Sequence, residues 1–558
     1  MKRGKSQLRG YGTAIAAFAL LVTQASALAA EGPRLTTVTR ATKDDLAPAR
    51  TYTGPFLLAD PEDQTRIFAA AAELRSRTCH LLRSNDAGRS WTLLMASPSP
   101  PSYPFCSTSS GMLTQTPMAW GRDRTLYYAT HGWDTQDGGP AGNVSVVLAR
   151  STDFGETWET TIVRDARGRS GPEAEANNAV ASLAVDTKSA AQDIVYVGWR
   201  ANYPNAPTLP SGLRALRPPL VAASVDGGRT FSEPIDVSKF YTKTVKGPDG
   251  ADLPVGMSFT APSLAVDDKG TLFALYPAAP PSAFPPTFAL PKLPMLLARS
   301  TDRGKTFTFT EAGPPLNYNE GVQILRWSPE GGGDGTLHMV FEDKLEQPTG
   351  SADRDIYYIR STDGGRTFSQ PQRLNDDDPA ELRVQATPNI SVAPNGRLDA
   401  AWWDFRNDPG TFVNDVYASF STDNGETWSK NVRVTDRSVD RKLGVWTNGF
   451  DIRQPPGIAS GPQLTVFGWD DTRLGDDVTE TQDVFSRAAQ HAPIGAATNA
   501  PARYAIAAVV GLAVVGIVLL ALSRRRQTTA ASAAQAGRGG RASADVKTGA
   551  SGSRQTKR

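Results

Sequence analysis

Ser421-Thr422-Asp423-Asn424-Gly425-Glu426-Thr427-Trp428 is one of six copies of a single octapeptide in a chain of 558 residues. The other five run from Ser84 to Trp91, Ser151 to Trp158, Ser224 to Phe231, Ser300 to Phe307 and Ser361 to Phe368. The shared pattern is Ser, any, Asp, any, Gly, any, Thr or Ser, then Trp or Phe. These are turn residues: the carboxylate accepts from nearby backbone N–H groups, glycine supplies a positive φ, and the hydroxyls satisfy further backbone atoms. The closing aromatic opens a new strand and packs between layers. Asp86, Asp153, Asp226, Asp302, Asp363 and Asp423 are therefore assigned a structural role.

Working outward, each copy sits in a longer unit that recurs every 60 to 76 residues, the scale of a β-propeller blade with enlarged loops. The sixth unit shows the grammar. Thr387 to Ala393 (TPNISVA) and Arg397 to Trp403 (RLDAAWW) form a hairpin about Asn395-Gly396, Asp415 to Phe420 (DVYASF) is a third strand, and the octapeptide turns it into a fourth. Pro262 to Tyr276, Ala181 to Trp199 and Ile324 to Glu342 repeat the hairpin, and no helical period intervenes. A seventh unit, Gln463 to Arg487, lacks both the octapeptide and a fourth strand, while Arg34 to Arg40 (RLTTVTR) alternates like a strand. The expectation is an all-β propeller of seven blades, the N-terminal segment completing the last. The alternative is six blades with one unit as an insertion.

The ends give the chain an address. Lys2, Arg3, Lys5 and Arg9 precede an apolar run and the small residues Ala27 to Ala29, so 1–30 is expected to be an export signal. Residues 504–522 (YAIAAVVGLAVVGIVLLAL) carry no charge and are long enough to span a hydrocarbon core as a transmembrane helix. Arg524, Arg525 and Arg526 follow as a stop-transfer flank, which predicts a single-pass type I cell-membrane protein with an extracellular ectodomain. Residues 31–487 are then the propeller, 488–503 an Ala/Pro-rich stalk, and 523–558 a basic, disordered cytoplasmic tail.

Charge has to be counted by compartment. The chain holds 59 basic and 57 acidic residues, but the signal and the segment 524–558 take thirteen of the basic ones and one acidic. The exported part is left with 46 basic and 56 acidic residues, about −10, which disfavours nucleic acid as a partner. The two cysteines, Cys79 and Cys106, both lie outside, where a disulfide between them is the default. Four histidines without metal-ligand spacing or a nucleophile-base arrangement suggest no metal site and no cofactor. The run Asp376-Asp377-Asp378 is read as an acidic turn, with Ca²⁺ ligation as the other option.

At the octapeptides the chain resembles the sialidase (neuraminidase) superfamily, whose propeller blades carry this motif, the Asp box (BNR repeat), between their third and fourth strands. The resemblance covers about Arg34 to Arg487 and places the boxes away from the active face. It implies a glycoside hydrolase that grips a sugar carboxylate with three arginines and attacks with a Tyr assisted by Glu, beside an Asp acid/base. One family arginine belongs to a Phe/Tyr-Arg-Ile-Pro phrase in the first strand. Here that strand reads Thr53-Gly54-Pro55-Phe56-Leu57, and Thr65-Arg66-Ile67-Phe68 matches two letters where a second strand starts.

Candidate site residues lie where chains enter first strands or leave second strands, on the face opposite the boxes. Second strands end in Glu73-Leu74-Arg75, Asp404-Phe405-Arg406 and Asp471-Thr472-Arg473, with Arg200 after Trp199 and Asp343 after Glu342 as partial versions. These are either a ring of ligand groups or structural ion pairs, for example to the aspartates that open third strands, Asp355, Asp415 and Asp483, and for Asp404/Arg406 and Asp471/Arg473 the structural reading is preferred. The ligand set is Arg75, Arg200, Tyr203, Arg383, Arg406 and Arg473, with Glu173 and Glu175 as further blade-specific residues. Tyr318 and Glu320, two apart and on one side of an extended segment, are the candidate catalytic pair.

Three function classes follow. The first is a surface sialidase-like hydrolase (exo-α-sialidase type) acting on terminal acidic sugars. The others are a non-catalytic propeller binding an extracellular glycan or protein, and an envelope-assembly scaffold. Nothing in the sequence fixes the oligomeric state.

Overall fold

The computed structural model describes residues 32–493 except 43–50, 97–102, 104, 107–116, 135–143, 166, 168–181, 202, 204–216, 247–249, 251, 259, 281–291, 317–322, 330–334, 346–353, 409, 411, 445–453, 477 and 480. The expected export signal, apolar span and tail lie outside the described residues, as do Tyr318, Glu320, Glu173 and Glu175. No helix among the described residues is long and apolar enough to cross a membrane.

Seven of the eight antiparallel sheets among the described residues follow one another along the chain as blades, each with its first strand innermost, and the eighth is a two-stranded excursion, Thr244–Lys246 with Asp252–Pro254. Blade 1 comprises Tyr52–Ala59, Ile67–Glu73, Thr78–Ser84 and Thr92–Ala96. Blade 2 comprises Met118–Trp120, Leu126–Trp133, Val144–Ser151 and Glu159–Asp165, with Phe105–Cys106 added beside its second strand. The first and third strands of blades 3 to 6 start at Ser182 and Pro219, Ser263 and Leu293, Gln323 and Asp355, and Gln385 and Val413. Blade 7 has Gly457–Ser460, Leu464–Asp471 and Asp483–Gln490, and its outer edge is filled from the N-terminus. Arg34 pairs with Gln490 and Thr39 with Ser486, so the alternating segment does close the ring, as two short strands rather than one. The last strand runs three residues past the expected limit at Arg487.

Second strands are buried along their whole length, which is why IFAAAAE and LYYATHGW read as nearly unbroken small or apolar runs. Each is sandwiched between neighbouring blades, so both of its faces need apolar cover. Between blades 6 and 7 the cover is Trp403, Phe405, Phe420, Phe467, Trp469 and Phe485. Around the channel the innermost strands are stitched by polar groups: Ser182 Oγ donates to the Pro262 carbonyl, and Asn389 Nδ2 to that of Pro456.

The six boxes build one turn. In the sixth, Ser421 Oγ donates to Asp423 Oδ1 at 2.8 Å and accepts from Gly425 N at 2.9 Å. Thr427 N and Oγ1 donate to the two carboxylate oxygens at 2.9 and 2.5 Å. Gly425 has φ of 79°, and a Cβ there would sit 2.0 Å from the Tyr358 hydroxyl of blade 5. Glycine is thus needed both for the left-handed backbone and for close approach to the preceding blade. The box is a turn within one blade and a fastening to the blade before it.

The expected disulfide is present. Cys79, on the third strand of blade 1, is bonded to Cys106 on the connection into blade 2, with a Cα–Cα distance of 5.5 Å.

Candidate functional site

The mouth of the channel opposite the boxes is built from the starts of first strands and the ends of second strands. Two first strands are bulged there, between Thr53 and Phe56 in blade 1 and between Ala386 and Asn389 in blade 6. Each bulge holds a proline, Pro55 or Pro388, which cannot donate to the ladder and so favours a break in register. In blade 6 the bulged Thr387 has φ of 48°. That is a strained conformation for a β-branched residue, and such strain concentrates at functional sites. The buried Glu342 carboxylate of blade 5 accepts from Thr387 N at 3.2 Å, and Arg354 lies 3.7 Å from that carboxylate. The Thr387 hydroxyl is buried without a hydrogen-bond partner among the described residues.

Across blade 7, Arg441 is 2% exposed on a short 3₁₀ turn, Arg441–Leu443, capped by the Asp440 side chain. Its Nη1 donates to Asp470 Oδ2 at 2.5 Å, its Nε donates to Asn414 Oδ1 at 3.3 Å, and its guanidinium lies 4.3 Å from the Trp403 ring centre. Gln482 Nε2 donates to the Tyr52 carbonyl at 3.2 Å and reaches Asp470 at 3.5 Å. Among the described residues, three buried atoms of this group have no hydrogen-bond partner: Arg441 Nη2, Asn414 Nδ2 and Gln482 Oε1. Two donors and one acceptor left unsatisfied beside a carboxylate are the complement a hydroxyl-bearing ligand or an ordered water needs.

The residues singled out from sequence take other places. Arg406 Nη2 donates to Asp404 Oδ2 at 2.8 Å and to Asn431 at 2.9 Å, its Nη1 pairs with Asp376 at 2.8 Å, and its guanidinium lies 4.1 Å from the Tyr417 ring centre. These carboxylates hold the guanidinium's pKa above its usual value against the opposing effect of burial. Arg473 repeats the arrangement one blade on, pairing with Asp471 and Asp436, each at 2.7 Å, and lying 4.3 Å from the Phe485 ring centre. Both arginines thus fasten their own blade to the connection leaving the previous one. The partners differ from the aspartates opening third strands, which take arginines of the outer strands instead: Asp355 with Arg373, Asp415 with Arg433, and Asp483 with Arg40.

Arg383 is 3.5 Å from Glu381 and shares no partner with Arg406 or Arg473. Arg75 donates to the Thr479 carbonyl of blade 7. Arg200 is 4% exposed, and burial, with the neighbouring Arg217 guanidinium, pushes its pKa down to about 9. Tyr203 is half-buried against the Trp199 and Leu220 cluster. Arg66 precedes the second strand of blade 1 and pairs with Asp60 at 2.9 Å. The acidic run is tied into the protein: Asp376 receives Arg406 and Asn431 N, Asp377 receives Arg373 and Asn375, and Asp378 caps Pro379–Glu381. Burial pushes the Asp377 carboxyl above its ordinary value, and nearby Asp404 adds to the rise.

Thr387, Arg441, Asn414 and Gln482 were not foreseen. Thr387-Pro388 was the available signal, since a proline inside a strand marks a bulge. Nothing local distinguishes Arg441 or Gln482, whose partners lie on other strands.

Seven blades, a box turn in each of six, and a polar channel mouth on the opposite face define an Asp-box β-propeller. The BNR/Asp-box repeat model matches residues 419–430, the box of blade 6. No curated protein matches the chain. Among solved structures it is similar to an α-L-arabinofuranosidase from Fusarium graminearum in complex with an iminosugar inhibitor, at 14% identity over 69% of this chain and 98% of that one, TM-score 0.41. It is also similar to a Penicillium chrysogenum α-L-arabinanase complexed with arabinobiose, at 14% identity over 71% and 100%, TM-score 0.40. A third is Trypanosoma rangeli sialidase with the inhibitor DANA, at 12% identity over 68% of this chain and 55% of that one, TM-score 0.40. The inhibitors and sugar bound in those structures belong to those proteins.

Proposed function

We propose that this chain is a membrane-anchored, extracellular propeller of the glycosidase type, a sialidase-like exo-hydrolase that takes the terminal sugar of a glycan into the channel mouth. The observation that carries the reading is the group of unsatisfied buried atoms on Arg441, Asn414 and Gln482 around Asp470, on the face opposite the boxes. Sugar hydroxyls both donate and accept, and they satisfy such a set. Tyr318 and Glu320, on the connection into the first strand of blade 5, are the proposed nucleophile and assisting carboxylate. A terminal acidic sugar is the proposed substrate, with Arg200 and Arg383 retained as candidate carboxylate contacts.

The test is turnover of fluorogenic sialosides and arabinofuranosides by the purified protein, wild type against Tyr318→Phe and Asp470→Asn. Release by wild type and loss in Tyr318→Phe at unchanged melting temperature is the expected result. Absence of turnover on every glycoside removes the hydrolase reading. A second reading, a propeller that binds a glycan or protein without cleaving it, is favoured by the engagement of Arg406 and Arg473 with two carboxylates each and by Gly54 in the first strand of blade 1.

A further inference from the structure

The box face carries a feature that the channel mouth does not account for. Blade 7 is the blade without a box: its third strand ends at Gln490 and its outer strand arrives from the N-terminus. Where the boxed blades carry a turn, the seam between blades 7 and 1 holds a half-open surface pocket of about 370 Å³, lined in part by Gln64, Asn85, Arg89, Gln463, Gln490 and His491. That volume is in the range of sites for small organic ligands, roughly 300–1,000 Å³.

Its polar groups are positioned but incompletely used. Gln64 Oε1 accepts from Gln463 N at 2.9 Å and Asn85 Oδ1 from Arg66 Nε at 3.3 Å, which fixes both amides and leaves their NH₂ groups as donors. Asp86, the carboxylate on the wall, is already occupied by Ser84 and Ser90. Thr465 gives its hydroxyl proton to Asp399 at 2.6 Å, so the 2.9 Å contact with His491 must be a donation from His491 Nε2. His491 Nδ1 is then an acceptor. Burial holds this ring's pKa down to about 4, so it is neutral at neutral pH. The Gln463 and Gln490 amides and the Arg89 guanidinium are exposed at the rim, where water holds them until a ligand replaces it.

We propose that this seam cavity is a second carbohydrate site, separate from the channel mouth, that holds one or two sugar units of a neutral or weakly acidic glycan. Amides present a donor and an acceptor side by side, which matches vicinal hydroxyls. Arg89, the positive group on the wall, tolerates a carboxylate substituent. The site comes from the way the ring closes, so it is built once rather than in every blade.

The test uses the full chain in detergent micelles, on an array of immobilised neutral and sialylated oligosaccharides, comparing wild type with Arg89→Ala, Gln490→Ala and, at the channel mouth, Asp470→Asn. Retention of at least one glycan, weakened about tenfold by Arg89→Ala or Gln490→Ala at unchanged melting temperature and kept in Asp470→Asn, supports the seam site. Loss only in Asp470→Asn places binding at the other face and overturns it. Wild-type protein that binds no glycan also overturns it, while turnover of fluorogenic glycosides separately decides the function of the mouth.

Discussion

Replacing Arg406 with alanine tests whether the repeated acidic-x-Arg phrase holds the ring together or binds ligand. The side chain joins the fully buried Asp404 of its own blade to Asp376 on the connection from blade 5, and the two carboxylates are 0% and 44% exposed. Removing one partner of a buried pair costs roughly 3–5 kcal/mol, because the remaining charge is stranded. Asp404 would keep donors from Trp402 Nε1 at 2.9 Å and from the backbone N of residue 406 at 2.8 Å. The lower end, about 3 kcal/mol, is therefore expected, with the lost contact to the Tyr417 ring included. Asp376→Ala breaks the exposed half of the pair together with the Asn431 N–H contact and should cost about 1 kcal/mol. Urea unfolding followed by tryptophan fluorescence measures both. An Arg406→Ala midpoint equal to wild type, together with loss of glycan affinity, would refute the structural assignment and make Arg406 a ligand residue.

The remaining predictions concern acid, redox and topology. Hydrogen bonds to Asp153, Asp226, Asp302 and Asp363 hold their carboxyls down to about 2, mostly against burial, so they favour folding above the unfolded carboxyl pKa. That stability should disappear between about pH 4 and pH 2, and Asp302→Asn should flatten the profile in that window; a profile unchanged by Asp302→Asn would contradict it. Reducing the Cys79–Cys106 bond opens a loop with a sequence separation of 27 and should cost about 3.5 kcal/mol in the loop-entropy model. Peptide mapping without reductant should recover the two cysteines linked. Protease added to intact cells should release the propeller and spare a C-terminal epitope, and loss of that epitope would overturn the proposed type I topology.

Seven blades were legible because the signal is local and repeated. A box needs only its own eight residues to turn the chain, and a second strand covered on both faces must be apolar throughout. Ring closure was legible for a related reason, since a unit lacking its fourth strand leaves an unpaired edge that only a spare strand elsewhere in the chain can satisfy. The partner of a charged side chain is not written in that local code.

Arg406 and Arg473 stayed in the ligand set beside the preferred structural reading because their sequence neighbours are the same whether they face a sugar or a carboxylate. Asp376 and Asp436, which hold them, are 30 and 37 residues away in sequence. The unsatisfied atoms of Arg441, Asn414 and Gln482 come from the 3₁₀ turn that follows blade 6, the third strand of blade 6 and the entry to the third strand of blade 7. The sequence by itself determined the turns and pointed to seven blades and to the strand that closes the ring, because each depends on contacts within a blade or on an evident vacancy, while the six-blade alternative fell only to the observed sheets. Which polar groups remain unsatisfied, at the mouth and at the seam, was decided only when neighbouring blades packed, since hydrogen-bond satisfaction depends on groups that chain order keeps apart.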